Sequence, residues 1–332
     1  MSSAIVRGIA ARFTLPYNGY FLFRGDSRVT GKTREGLLYG IGAYGLWGIV
    51  PFYFKPLMGL VRADEVLAHR IVWSLAFILP ILWLTGRWRA VRTCLRQREL
   101  LLLLLASAIL IAINWYVYVL CVAWDIIVHA SLGYFLTPLV NVLLGRLFFG
   151  ERLRPLQALA GLVAACGVIN LMVAAGEFPW LGLVIAFSFG FYGLVRKKAP
   201  VDGLVGLSVE TLLLFPVALV ALVVWALVGS LEFAAYSRSL DLRIACSGPV
   251  TALPLVCFGQ AARRLSLTTL GFFQYVSPSL QFLIAVTVYG EDFGPARIVS
   301  FVLIWTAVAV FVFDSWRAYR AGQRPAEPVT EK

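Results

Sequence analysis

The chain has 332 residues, of which 60% are hydrophobic and 14% charged, against roughly 45–50% and 25% in a typical soluble domain. Much of any soluble globule faces water, so this composition excludes a soluble enzyme, a nucleic-acid-binding domain and a disordered chain, and leaves an integral membrane protein. The formal net charge of +12 then reads as basic loops on one side of a bilayer.

In chain order, residues 1–35 form a basic tail carrying Arg7, Arg12, Arg24, Arg28, Lys32 and Arg34. Arg12 interrupts its only apolar stretch, a poor fit to a cleaved signal peptide, so the tail is read as a basic cytoplasmic or membrane-surface segment. Ten apolar segments follow, at about 36–54, 66–84, 100–123, 129–149, 155–175, 180–196, 205–228, 243–263, 268–289 and 295–315. Each approaches the roughly 20 residues a membrane helix needs. They leave room for turns but for no sizeable soluble domain. Residues 317–332 make a C-terminal tail, and its polar part from Ala321, with two prolines, is expected to be disordered.

With both termini inside, 22 of the 29 Lys and Arg residues fall in inner segments and five in outer ones, Arg70 and Arg146 lying within spans. That asymmetry fixes the orientation and requires an even number of spans. The cysteines Cys94, Cys121, Cys166, Cys246 and Cys257 make no CxxC pair, and His69 and His129 are isolated. No disulfide frame, metal centre or cofactor is called for.

The chain repeats itself. Tyr134, Pro138, Asn141, Gly150, Glu151 and Pro155 recur 140 residues later as Gln274, Pro278, Gln281, Gly290, Glu291 and Pro295. At an offset of 145, Ala43-Tyr44-Gly45-Leu46-Trp47-Gly48 matches Ser188-Phe189-Gly190-Phe191-Tyr192-Gly193, and Glu65 maps onto Glu210. The expected fold is therefore all-α and membrane-integral, with ten transmembrane helices as two inverted five-helix repeats, 36–176 and 177–316. Five is odd, so the second half enters the bilayer upside down. Inverted repeats are a mark of secondary transporters, with the substrate site near the midplane between the halves.

The motifs His69-Arg70-Ile71-Val72-Trp73-Ser74, Asn114-Trp115, Leu132-Gly133-Tyr134-Phe135, Pro138-Leu139-Val140-Asn141 and Gly271-Phe272-Phe273-Gln274-Tyr275 resemble those of the RarD permease branch of the drug/metabolite transporter superfamily, with its EamA domains. The resemblance covers about residues 36–315. It implies a ten-helix inner-membrane permease for a small metabolite or drug-like solute. Proteins of that branch are often labelled for chloramphenicol sensitivity.

Polar groups in lipid are costly and face the bundle interior, where they find partners. Tyr134, Pro138 and Asn141 share one helical face, as do Gln274, Pro278 and Gln281 in the other half. Each proline lacks an N–H, which frees the carbonyl of Tyr134 or Gln274 and predicts a bend at Pro138 and Pro278. These helices read as cavity walls, the alternative being amides that bond neighbouring helices. Asn114 and Tyr118 share a face of the third span, and Arg70, Trp73, Ser74 and Phe77 a face of the second. Arg70 either grips an anionic group bidentately, or snorkels or pairs with Glu65 or Asp64. His69 is read as interfacial rather than as a proton relay. Glu210 is read as a helix-start cap rather than a proton carrier, and Glu151 and Glu291 as openers of the following helices. Tyr44, Trp47, Trp115 and Tyr192 form an aromatic pocket or an interfacial belt, Trp115 belonging with the pocket.

The expected function is alternating-access transport of a small solute through a cavity lined by Arg70, Trp73, Asn114, Tyr118, Tyr134, Asn141, Gln274 and Gln281. There is no Walker loop, so uphill transport would draw on a proton or other ion gradient. A membrane enzyme acting on a lipid-linked substrate is the alternative, although no catalytic constellation is evident. A sensor or scaffold is disfavoured by the absence of a soluble domain. Oligomeric state is left open.

Overall fold

The computed structural model describes residues 27–54, 57, 60–124, 127–176, 178–289 and 294–322. Gly290, Glu291, Lys55, residues 1–26 of the basic tail and the C-terminal segment from 323 lie outside the described residues. The described residues form twelve helices: α1 (Ser27–Phe54), α2 (Ala63–Leu84), α3 (Trp88–Arg96), α4 (Arg98–Ala123), α5 (Ile127–Phe149), α6 (Pro155–Ala175), α7 (Trp180–Lys198), α8 (Gly203–Leu227), α9 (Arg238–Arg264), α10 (Leu267–Gln274), α11 (Val276–Tyr289) and α12 (Pro295–Gly322). Eight of these, α2, α4 to α9 and α12, are long and apolar enough to cross a membrane.

The sidedness of the apolar surface agrees with lipid as solvent. Trp83, Leu84, Val173, Val217 and Leu227 are each more than two-thirds exposed, a cost in water that hydrocarbon removes. Buried polar side chains such as Asn114, Asn141, Arg196 and Glu210 face inward.

Local chemistry sets the helix ends. At the start of α8, Asp202 Oδ1 accepts from the Leu204 and Val205 N–H groups at 2.9 and 3.1 Å, satisfying two of the free donors of a helix N-terminus. Gly150 ends α5 in the left-handed region, at φ +63°, and the Glu151 N–H turns back to the Gly145 carbonyl at 3.1 Å.

Two features differ from the segment reading. Between the second and third expected spans lies α3, whose Arg89, Arg92 and Arg96 face outward while Val91 and Cys94 are buried. Short, basic and two-faced, it has the character of a helix lying along a membrane surface. The expected span at 268–289 is divided into α10 and α11 at Tyr275. Pro278 has no N–H, so the Gln274 carbonyl loses its donor there. The first-half proline, Pro138, lies inside an uninterrupted α5.

Packing is dense across the bundle. The extensive helix pairs are α6 with α12, α5 with α7, α9 with α1 and α2, α2 with α8, α4 with α7, α10 with α5, and α11 with α1. Glycine permits the closest approaches. A Cβ on Gly248 of α9 would stand 2.3 Å from the Trp73 backbone of α2. Ser74 Oγ donates to the Gly248 carbonyl at 3.1 Å across the same crossing. A Cβ on Gly271 of α10 would stand 2.8 Å from the Pro138 carbonyl oxygen of α5.

Candidate functional site

The site grows from the inward face of α2. Arg70 lies two turns from the helix start, and its Nε donates to Thr251 Oγ1 of α9 at 2.9 Å. Its guanidinium carbon lies 5.1 Å from the Phe54 ring centroid and 5.0 Å from that of Trp115, within cation–π distance of both. The phenols of Tyr118 and Tyr134 lie within Coulombic range of it, and their ring centroids are 6.2 Å apart. The Trp73 indole N–H, on the same face of α2, is buried without a hydrogen-bond partner among the described residues.

Arg70 has no carboxylate partner among the described residues. Asp64 is held by Arg62, Nε to Oδ1 at 3.1 Å. The Glu65 carboxylate accepts from the Glu232 N–H at 3.0 Å and the Phe233 N–H at 2.8 Å. His69 stands 3.7 Å from Glu65 Oε1 with its ring centroid 4.8 Å from that of Phe233, and neither ring nitrogen makes a hydrogen bond among the described residues.

A second polar cluster lies along α4 from the first, at Ser107, eight residues and so about 12 Å of helix from Trp115. There Ser107 Oγ donates to Glu210, Tyr192 Oη donates to the same carboxylate at 3.3 Å, and Arg196 Nη1 reaches Glu210 Oε1 at 3.3 Å. Arg196 and Glu210 are each 1% exposed. Rings pack against this second cluster through Tyr192. Tyr192 stacks on Phe258 at 5.5 Å, Phe189 meets Phe258 at 5.2 Å and Trp47 meets Phe189 at 5.6 Å.

The eight residues singled out from sequence divide. Arg70, Tyr118 and Tyr134 come together, with Trp73 on the same face of α2. Asn114 binds α4 to α7, donating to the Ile185 carbonyl at 2.9 Å and to Ser188 Oγ at 3.2 Å. Gln281 Nε2 donates to the Trp47 carbonyl of α1 at 3.3 Å. Asn141 and Gln274 are buried, and each keeps a side-chain carbonyl oxygen without a partner among the described residues. Asn141 stands between α7 and α10, its Oδ1 3.9 Å from where a Gly193 Cβ would lie.

Sequence reasoning missed other roles. Arg196, one of the 22 cations that the charge asymmetry assigns to the inner side, is buried in the last turn of α7. Glu210 does not cap α8; Asp202 does, and Glu210 lies two turns in, against Arg196. Glu151 precedes α6, but its carboxylate accepts from the Leu267 and Thr268 N–H groups at 2.8 and 3.0 Å, capping α10 in the other half of the chain. The α10 start has Gly145 beside it, where a Cβ would lie 2.6 Å from Glu151 Oε2. The only sequence signal for that contact was the repeated Gly-Glu pair.

Apolar helices of spanning length around buried polar clusters define a multi-pass membrane protein, and comparison with known proteins gives its class as transporter. The profile of the EamA-like transporter family matches residues 34–173. "Protein RarD" of Salmonella typhi is 46% identical over 284 residues, covering 86% of this chain and 96% of that protein. An "Uncharacterized transporter" of Vibrio cholerae is 45% identical over 291 residues, covering 88% and 96%. "Chloramphenicol-sensitive protein RarD" of Pseudomonas aeruginosa is 34% identical over 294 residues, covering 87% and 97%. A solved crystal structure superposes with a TM-score of 0.66 at 19% identity, covering 85% of this chain and 99% of that one, which shows a shared fold. The chain belongs to the EamA-like transporter family, among the RarD proteins.

Proposed function

We propose that this protein is a secondary transporter of the inner membrane, moving a small metabolite or drug-like solute by alternating access. Its two halves, 36–176 and 177–316, act as inverted five-helix repeats, and both termini face the cytoplasm. The carrying observation is a correspondence in packing. Exchanging α1 with α7, α2 with α8, α4 with α9, α5 with α10 and α11, and α6 with α12 turns the α1–α9 pair into α7–α4, and α5–α7 into α11–α1. The pairs α2–α8, α5–α10 and α6–α12 map onto themselves. Each of these pairs is packed.

Packing that survives that exchange supports inverted repeats, and alternating access would follow from each half taking up the other's arrangement around the fixed site. The solute would sit at the Arg70 cluster, bounded by Arg70, Trp73, Tyr118 and Tyr134. Asn114, Asn141, Gln274 and Gln281 would hold the moving helices around it. The Arg196–Glu210 cluster and the rings packed against it would close the cytoplasmic side. Chloramphenicol-like compounds are candidate solutes through the name carried by the Pseudomonas relative, and a proton or other ion gradient is the candidate energy source.

The test is to compare metabolites in medium and cytosol of deletion and overexpressing cells, then to measure flux of the changed compound in proteoliposomes. Flux that requires the protein supports the reading. Turnover of a lipid substrate by purified protein, with no solute movement, overturns it.

A further inference from the structure

We propose that Arg70 is an anion subsite and that the solute carries a single carboxylate on an apolar, ring-compatible body. This rests on the carrier reading above and narrows its substrate class. An arginine in a lipid-embedded bundle is retained at a cost, and the usual remedy is a neighbouring carboxylate. Arg70 has none among the described residues, because Asp64 and Glu65 are committed elsewhere. The uncompensated charge is a single positive one, so a bound monoanion leaves the occupied site neutral.

The contacts point to the shape of that anion. Nε is spent on Thr251, which leaves the two terminal nitrogens without a hydrogen-bond acceptor among the described residues. Arg70 is partly exposed, so those donors can be reached. Two parallel N–H groups at fixed spacing match the two oxygens of a carboxylate. The buried, unpaired Trp73 indole N–H supplies a further donor on the same helical face. Phe54, Trp115, Tyr118 and Tyr134 give the rest of the solute aromatic walls. A phosphate dianion would bring excess negative charge into a site with one cation, and a neutral amide would leave the guanidinium unmatched.

The probe is radiolabelled benzoate, bound at equilibrium to purified full-length protein, with unlabelled benzamide and inorganic phosphate as competitors. Benzoate is expected to bind saturably, and neither competitor to displace it at tenfold higher concentration. Arg70→Gln is expected to weaken binding at least tenfold, and Arg70→Lys several-fold, since an ammonium keeps the charge but loses the fork. Equal competition by benzamide, no saturable benzoate binding, or full affinity in Arg70→Lys and Arg70→Gln overturns the proposal. The wild-type comparison of benzoate with benzamide decides the matter even where a variant does not run as a single species on size exclusion. Protein-dependent flux of a neutral solute without benzoate binding defeats the subsite and leaves the carrier standing. Arg70-dependent benzoate binding without any solute movement leaves the subsite standing and defeats the carrier.

Discussion

Arg196 and Glu210 are 14 residues apart in sequence and meet at 3.3 Å with both side chains 1% exposed. They join the last turn of α7 to the third turn of α8, and Ser107 and Tyr192 complete the carboxylate's hydrogen bonds. Breaking a buried pair by removing one partner strands the other charge, at about 3–5 kcal/mol. Glu210→Leu is therefore expected to lower the unfolding midpoint of the purified protein sharply. The double variant Arg196→Met with Glu210→Leu should recover most of the loss, and an equally large loss in the double variant would refute the pairing.

Two glycines separate space from flexibility. A Cβ on Gly206 would fall 1.7 Å from Arg196 Nη1, whereas one on Gly161 would meet nothing within 4 Å. Gly206→Ala should expel Arg196 from its pair and reduce stability nearly as much as Glu210→Leu. Gly161→Ala should be neutral or stabilising by about 0.5–1 kcal/mol. Unfolding midpoints of the two variants, measured side by side, test this.

The Glu151 carboxylate ties the α5–α6 junction to the first turn of α10. Glu151→Gln keeps the size but loses the charge and one acceptor, at about 1 kcal/mol. Hydrogen exchange at Leu267 and Thr268 should quicken about fivefold, with amides in α6 unaffected. Unchanged exchange at both positions would dismiss the cap.

Asn114→Leu removes both bonds from α4 to α7 and leaves the Ile185 carbonyl without that donor. Interhelical bonds in membranes carry about 0.6–2 kcal/mol, so a modest drop in midpoint is expected together with loss of solute flux at normal expression. Full flux in Asn114→Leu and Gln274→Leu would remove these positions from the transport machinery.

The inverted threading predicts opposite accessibility for matched positions. In a cysteine-free background, Arg152→Cys should label only from the cytoplasmic side and Asp292→Cys only from the other. Labelling of both from one compartment would end the inverted-repeat reading.

The sequence by itself determined the solvent. Apolar runs at 66–84 or 205–228 have no stable home in water, and they emerge as α2 and α8. The Gly-Glu and proline repeats were likewise legible, because backbone demands such as the left-handed turn at Gly150 are written in single residues. Only the tertiary structure decided who meets whom. Arg70 finds Thr251 across 181 residues, Glu151 finds Leu267 across 116, and Arg196, at the basic end of its helix, is a core residue paired with Glu210. Such pairings depend on which faces of which helices come into register, and a helix apolar on all sides does not declare its inward face until its neighbours are in place.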